Sequence, residues 1–493
     1  MKELRRKTAP GVTWRALGAW GSQLSTLVVF IVLTRLLEPE AFGLVAMATV
    51  FTSLMAVFAE QGFGQAIVQR QDLELEHLDT ALWTNVIVGG GLTLLGVLVS
   101  RLVAQVYGEP QLRPVVALLS VTFLLTGLSS TQRALLQREL DFRALSTRQL
   151  AASIAGGFLG ILVAGLGGGV YALVAKSLFT SLVLMALFWQ ASEWRPRLRF
   201  SYTHLRNLAG FGLSMVGIRL TNYLRLRLDD FLIGYFLGAQ ALGYYTVAYR
   251  LGRLTLDLFS GVMGSVAVAA FARLQSKLRR LGRALTDMTG ISSLITFPIF
   301  TTLIVLAPDL ILALSGPQWL RSAPAMRILT LGGFLLSLQY FLDYLLIAIG
   351  QPGRLFSLNV LVTLATAAGF IITAPFGIEY VAAAYVVVNG AFFGAYLYLV
   401  QQSVPLDVRR YLAAGLRPLL PSALLGAFLY AINSVLAASA VNVYVRLVLS
   451  GTAGALIYSG AVYLFQPSAF LELRSLALAL LPLGRRPLWD PEA

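Results

Sequence analysis

Apolar runs of about 20 residues recur along this chain from one end to the other, and no other feature limits its fold so severely. A run of that length crosses the roughly 30 Å hydrocarbon core of a bilayer as one helix. In lipid, every backbone N–H and C=O has to be satisfied within the spanning structure, so a chain of such runs becomes a helix bundle. Only 12% of the 493 residues are charged, about half the share in a soluble globular protein. The fold class is an all-α polytopic membrane protein. Spans are predicted near 14–37, 41–59, 81–106, 114–133, 148–167, 168–190, 208–237, 241–272, 284–306, 323–349, 355–374, 378–400, 415–437 and 443–465. That is about fourteen transmembrane helices.

The net charge of +15 is of the kind that draws a soluble protein to nucleic acid. In a membrane protein the same arginines collect in cytoplasmic loops, so no nucleic-acid partner is expected. One set of alternate connections holds Lys2, Arg5, Arg6 and Lys7, then Arg138, Arg143, Arg195, Arg197, Arg199 and Arg206. It continues with Lys277, Arg279, Arg280, Arg283, Arg354, Arg409 and Arg410 and ends with Arg474, Arg485 and Arg486. The opposite set carries little beyond Arg113 and Arg321. Both termini are therefore expected in the cytoplasm. The basic start "MKELRRK" leads into an apolar run with no small-residue cleavage site, which reads as a first transmembrane helix and not a removable signal. Cysteine is absent, which excludes disulfides and thiolate metal sites. The two histidines, His77 and His204, fall in polar connections and read as solvated residues.

The chain also repeats itself. "RLLEPEAFGLVAMATV" at 35–50 aligns with "YFLGAQALGYYTVAYR" at 235–250 at an offset of 200, matching Leu37 to Leu237, Ala41 to Ala241 and Gly43 to Gly243. An even number of spans separates the copies, so both cross in the same direction. Two pseudo-symmetric six-helix lobes follow, related by an axis along the membrane normal, with the pathway between them. The expected organisation is an N-terminal lobe at 1–190, a cytoplasmic linker at 191–207, a C-terminal lobe at 208–400, two additional helices at 401–465 and an amphipathic tail at 466–493.

The stretch "YLRLRLDDFLIGYF" at 223–236 breaks the apolar pattern. Measured from position 235 at 1.5 Å per residue, Asp229 and Asp230 lie about 8 Å below the outer end, Arg225 about 15 Å and Arg219 about 24 Å. The next helix adds Arg250, Arg253 and Asp257. Each charge at mid-bilayer costs about 2.5–3.5 kcal/mol, so these groups should face one another or a hydrated cavity. At 100° per residue, Arg250, Arg253 and Asp257 share one stripe, and Arg219, Arg227 and Asp230 share a second. Arg225 and Asp229, one turn apart on another side, read as a mutual pair, either structural or cavity-lining. The surplus of arginine over aspartate suits an anionic passenger such as a pyrophosphate, which the guanidinium fork binds bidentately. Asp257, Asp230 and Asp343 are candidates for coupling to protons or sodium; no other cofactor is expected. "GLGGGVYALVAKS" at 165–177 lacks the glycine before its lysine that a phosphate loop requires and reads as a tight turn.

Several stretches together carry a family resemblance: "LTRLLEPEAFGLVAMATVF" (33–51), "EQGFGQAIVQRQDL" (60–73), "ALLQRELDFRAL" (134–145), "RLDDFLIGYFLGAQALGYYTVAYRL" (227–251) and "LSGPQWLRSAPAMRIL" (314–329). The chain resembles the Wzx-like polysaccharide and lipopolysaccharide flippases of the multidrug/oligosaccharidyl-lipid/polysaccharide exporter superfamily. The resemblance implies a flippase that moves an undecaprenyl-pyrophosphate-linked oligosaccharide from the cytoplasmic to the outer leaflet by alternating access. It also implies a cationic cavity between the lobes and a role in surface polysaccharide synthesis in the bacterial inner membrane. Asp229 and Asp230 match the acidic spot in "RLDDFLIG", and Arg250 the arginine of "AYRL". The implied partners are the lipid-linked substrate, membrane lipids and other polysaccharide-assembly proteins, and a monomer suffices for the mechanism. An exporter of small molecules from the same superfamily is the alternative, disfavoured by the arginine-rich path. A membrane-embedded glycan polymerase or ligase needs a large connection bearing an acid/base pair. The connections here run to only about 10–20 residues and gather none, so an enzyme is not expected.

Overall fold

The computed structural model describes residues 21–59, 63–70 and 72–467, and the side chains at 205–222, 224–226, 254–263, 265–266 and 269 lie outside that description. The chain is helical almost throughout and divides into two compact units, Met1–Thr246 and Val247–Ala493. Twelve helices among the described residues are long and apolar enough to cross a membrane, and Gly21–Leu36 is a shorter apolar helix. The spans expected at 208–237 and 241–272 are two helical limbs of one continuous segment, Tyr202–Leu274, that meet at a kink at Gly238. Gly238 has φ +80°, a conformation that a residue with a side chain adopts only under strain, so the break falls where the sequence places a glycine.

The first unit contains α1 (Gly21–Leu36), α2 (Pro39–Ala59), the short α3 (Phe63–Gln69), α4 (Leu75–Tyr107), α5 (Leu112–Arg138), α6 (Phe142–Gly165), α7 (Val170–Ala191) and the beginning of α8 (Tyr202–Leu274). Helix α5 is its centre and packs on α2, α3, α4 and α7. Lipid offers no hydrophobic drive for two helices to associate, so close packing and interhelical hydrogen bonds hold them. Asn85 of α4 donates to Ser130 Oγ of α5 at 2.8 Å, and the Thr93 hydroxyl donates to the Ser120 carbonyl at 2.9 Å. The expected turn between α6 and α7 is present, with Gly167 and Gly169 both at positive φ.

The connection 192–201 is extended and lies against the start of α4. Arg197 N–H donates to the buried carboxylate of Asp79 at 2.9 Å, Ser201 N–H donates to Thr80 Oγ1 at 3.2 Å, and Trp83 Nε1 donates to the Arg197 carbonyl at 2.8 Å. Beside it, α3 buries Phe63 and Ile67 against Leu78, Ala81 and Ala134. Arg138, at the end of α5, donates to the carbonyls of Ile67 (2.7 Å) and Arg70. These are the carbonyls that the end of α3 leaves without an intrahelical partner.

The second unit holds the rest of α8 with α9 (Leu278–Val305), α10 (Ala307–Leu314), α11 (Ala323–Ala348), α12 (Pro352–Thr373), α13 (Ile378–Gln401), α14 (Val408–Leu416), α15 (Leu419–Ala438) and α16 (Val443–Phe465). Its core joins Phe271, Leu281, Phe341, Leu345, Tyr396 and Tyr411. The last two helices are fastened to α9 and α10 by polar contacts. Tyr458 of α16 donates to the Leu294 carbonyl at 2.8 Å, and the buried Asp309 accepts from Arg446 of α16 and from Asn433 Nδ2 of α15 at 2.6 Å.

Candidate functional site

Helix α8 carries the charges into the span, and local partners hold Arg227, Asp229, Asp230 and Arg253. Arg227 Nη1 donates to Asp230 Oδ2 at 2.9 Å, one turn along the same face, where side chains three apart meet. Asp229 is buried. Its Oδ1 accepts the Asp230 N–H at 2.9 Å and its Oδ2 accepts the Tyr245 hydroxyl at 3.0 Å. Tyr245 lies on the far limb of α8, beyond Gly238, and is 1% exposed. Asp229 therefore ties the two limbs of the bent helix together. A buried carboxylate needs such donors, because an unpaired one costs several kcal/mol in an apolar surrounding.

Aromatic side chains form the rest of this environment. Phe231 meets Phe51 of α2 and Tyr107 of α4 edge-on, at centroid distances of 6.4 and 5.9 Å, and Phe51 meets Tyr107 at 5.8 Å. The Tyr223 hydroxyl donates to the Val50 carbonyl at 2.8 Å, which fixes the stretch 223–231 against α2. Arg227 keeps 37% of its side chain exposed while Asp230 keeps 13%. Among the described residues the guanidinium thus has donors to spare for an anion, and the carboxylate is committed to the pair.

The sequence repeat has a direct structural counterpart within the first unit. Gly43 faces the backbone of Ala239, and Gly243 faces the backbone of Pro39. The four positions are related by the same offset of 200, so each copy presses its glycine onto the other copy's turn. A Cβ built on Gly43 comes within 2.5 Å of the Ala239 carbonyl carbon, and one on Gly243 within 2.6 Å of the Pro39 carbonyl carbon. The near-equality of these distances marks a local two-fold arrangement. The carboxyl of Glu109 accepts from the Ala239 N–H beside this contact, and burial together with Glu40 holds it above the ordinary carboxyl range.

In the second unit, Arg253 donates to the Tyr249 hydroxyl and stacks over that ring at 5.5 Å, an arrangement that orders the guanidinium. Arg250 is half-buried on the same helix. Asp343 is half-buried on α11 between Tyr340 and Tyr344, whose hydroxyls are 3.0 Å apart. The side chains of Arg219, Arg225 and Asp257 lie outside the described residues. Of the candidates, then, the structure joins Arg227 to Asp230 with Asp229 alongside, and places Arg250, Arg253 and Asp343 in the other unit. Sequence reasoning passed over Tyr223, Tyr245 and Tyr249. The available signal was the spacing of 245 and 249, which puts two polar-tipped rings on one face of a span.

One group of donor side chains among the described residues is close enough to hold a metal ion: Glu74, His77 and His204. It lies about 45 Å along α4 from Tyr107 and belongs to no part of the charged cluster.

The family model described as polysaccharide biosynthesis protein matches residues 32–324. The teichuronic acid biosynthesis protein TuaB of Bacillus subtilis (strain 168) is 25% identical over 462 residues, covering 93% of this chain and 95% of that protein. The succinoglycan biosynthesis transport protein ExoT of Rhizobium meliloti (strain 1021) is 25% identical over 474 residues, covering 96% of each. Among solved structures, the lipid II flippase MurJ in an inward closed conformation superposes with a TM-score of 0.75 at 14% identity, covering 94% of this chain and 99% of that one. At that identity the likeness establishes the fold.

Proposed function

The chain belongs to the polysaccharide biosynthesis protein family, and on that premise we propose that it is a flippase. Its cargo is a polyprenyl-pyrophosphate-linked oligosaccharide, moved from the cytoplasmic to the outer leaflet for assembly of a surface polysaccharide. The lobes at 1–190 and 208–400 alternate in access. The reading places the protein in the bacterial cytoplasmic membrane with both termini inside, and it requires no catalytic residue. The names of the relatives TuaB and ExoT point the same way, one to teichuronic acid and the other to transport in succinoglycan synthesis.

The observation that supports this reading best is the half-exposed guanidinium of Arg227, held beside buried aromatic and carboxylate groups inside a span. An isolated arginine there costs about 2.5–3.5 kcal/mol, and pairing with Asp230 offsets only part of that. A guanidinium that keeps free donors in a hydrated path binds a pyrophosphate through paired N–H groups. Arg250 and Arg253 add cations on the following stretch of α8, and Arg219 and Asp257 complete the set on the wheel. Asp230, Asp257 and Asp343 remain the candidates for proton or sodium coupling.

The test is mass spectrometry of polyprenyl-linked glycans in cells that lack this gene, complemented with the wild type, Arg227→Ala or Arg250→Ala. A pyrophosphate-linked oligosaccharide should accumulate without the gene, clear with the wild type and persist with either variant. Clearance by both variants at wild-type rate removes the cavity assignment. No accumulation in the deletion strain removes the flippase.

A further inference from the structure

The chain has two histidines, 127 positions apart, and their rings meet edge to face with centroids 4.1 Å apart. The expectation that both are solvated does not hold. His77 sits in the first turn of α4 and is 1% exposed, and His204 sits in the first turn of α8 with 16% of its side chain exposed. His77 Nε2 and His204 Nδ1 are both buried without a hydrogen-bond partner. Glu74 closes the group, its Oε2 lying 3.5 Å from His204 Nε2. One donor atom from each of the three residues can be chosen so that all lie within 4.8 Å of one another.

We propose that Glu74, His77 and His204 form a binding site for a divalent cation of the zinc class, which pins the first turn of α8 to the first turn of α4. The donor set decides the class. Two imidazoles and one carboxylate without thiolate suit a borderline ion such as Zn2+, whereas Mg2+ and Ca2+ require oxygen ligands. A tetrahedral ion with bonds of about 2.0–2.2 Å sets its ligands about 3.3 Å apart. The Glu74–His204 separation of 3.5 Å already meets that. The remaining approach falls to the Glu74 carboxylate, which is 67% exposed and has to leave its capping contact with the His77 backbone to make it. Three protein ligands leave the fourth position to water.

The surroundings prepare the site. Residues 197 and 201 are hydrogen-bonded to Asp79, Thr80 and Trp83, so His204 is delivered to His77 by a docked segment and not by chance proximity. Glu76, the other nearby carboxylate, is engaged with Arg199 at 3.6 Å. His77 Nδ1 accepts the Glu74 N–H at 3.3 Å, so the neutral ring carries its proton on Nε2. Ligation through Nε2 moves that proton to Nδ1, which then faces the Glu74 N–H as a second donor, so the metal bond is made only with a shift of the Glu74 backbone away from the ring. No redox step and no catalysis is involved.

The experiment uses the full chain, purified in detergent through a tag that contains no histidine and stripped with a chelator. It is titrated with Co2+, whose visible absorption reports tetrahedral nitrogen and oxygen ligation, and then with Zn2+. The expected result is one equivalent of Co2+ bound and displaced by Zn2+, with the spectrum lost in His204→Ala and in Glu74→Gln. Unchanged elution and thermal midpoint of His204→Ala, measured without metal, show that its loss of binding is not a loss of fold. No spectrum in the stripped wild type overturns the proposal, as does an unchanged spectrum in His204→Ala. Neither outcome touches the transport reading, which is assayed by glycan accumulation.

Discussion

A single methyl group added at Gly43 should disturb transport more than any conservative change at the charged positions. In Gly43→Ala the new Cβ meets the Ala239 carbonyl carbon at 2.5 Å and its Cα at 3.0 Å. Carbon atoms in comfortable contact stand about 3.5–4.0 Å apart, and the Ala239 carbonyl oxygen is nearer still, so the two turns must separate by more than about 1 Å. The obstruction is main chain, which cannot rotate aside as a side chain does. Overpacking of this kind costs about 1–3 kcal/mol, which at about 1.4 kcal/mol per tenfold is a shift of roughly 5- to 150-fold in the population of the closed contact. On the proposed orientation, with both termini inside, this end of the unit faces the periplasm and the shift favours opening there. Because the chain contains no cysteine, one introduced at Ala239, which is 2% exposed, reports that opening without background. Labelling of Ala239→Cys by a membrane-impermeant maleimide should accelerate within that range when Gly43→Ala or Gly243→Ala is added. The two glycine substitutions act on one separation, so their combined effect should fall well short of the sum of the singles. Additive effects, or labelling rates unchanged in both, would refute the reciprocal contact as the closing element.

Tyr245→Phe removes a donor from the buried Asp229 and should lower the thermal midpoint in detergent by the equivalent of about 1–3 kcal/mol, the cost of an orphaned buried group. Retention of the wild-type midpoint would show that Asp229 finds another donor. Asp309→Ala leaves Arg446, whose side chain is 13% exposed, without its partner. Breaking a buried pair costs about 3–5 kcal/mol, so limited proteolysis should cut between α15 and α16 before the rest of the second unit. Glu109→Gln bears on pH. The folded protein holds this carboxyl above its ordinary value, so in wild type the unfolded chain loses its proton first and stability falls as pH rises through the carboxyl range. The variant should be the more stable at neutral pH and lose that dependence, as thermal scans across pH 4 to about 7 will show.

The all-helical membrane class was legible because a lipid-spanning segment announces itself by length and composition alone, whereas the count of about fourteen compares with twelve helices long and apolar enough to cross among the described residues. The repeat was legible for the same reason: Gly43 and Gly243 are required by main-chain contact, and a glycine so required stands out in alignment. The polar partners were less accessible. A helical wheel sorts residues on one straight helix, and it grouped Arg227 with Asp230 correctly because they are three apart. It was blind to Tyr245, which reaches Asp229 only because α8 bends at Gly238. The wheel paired Asp229 with Arg225, whose side chain lies outside the described residues. Among the described ones, Asp229 accepts from the Tyr245 hydroxyl and from the Asp230 N–H.

The bend gives a physical reason for two adjacent aspartates in a membrane span. Asp230 faces along its own limb and neutralises Arg227, while Asp229 faces the neighbouring limb and accepts the Tyr245 hydroxyl. The two acids therefore do different jobs, and replacing either with asparagine should separate them. Asp230→Asn leaves the charge of Arg227 without its counter-ion, which strengthens the hold on an anionic passenger and slows its release. Asp229→Asn keeps one oxygen, which can still accept the Tyr245 hydroxyl while the contact with the Asp230 N–H is given up, so the bend is preserved and transport should continue at close to the wild-type rate. Glycan clearance measured side by side in the two variants distinguishes the roles. Equal loss in both would mean that the pair acts as one acidic patch and that the bend is not what placed them.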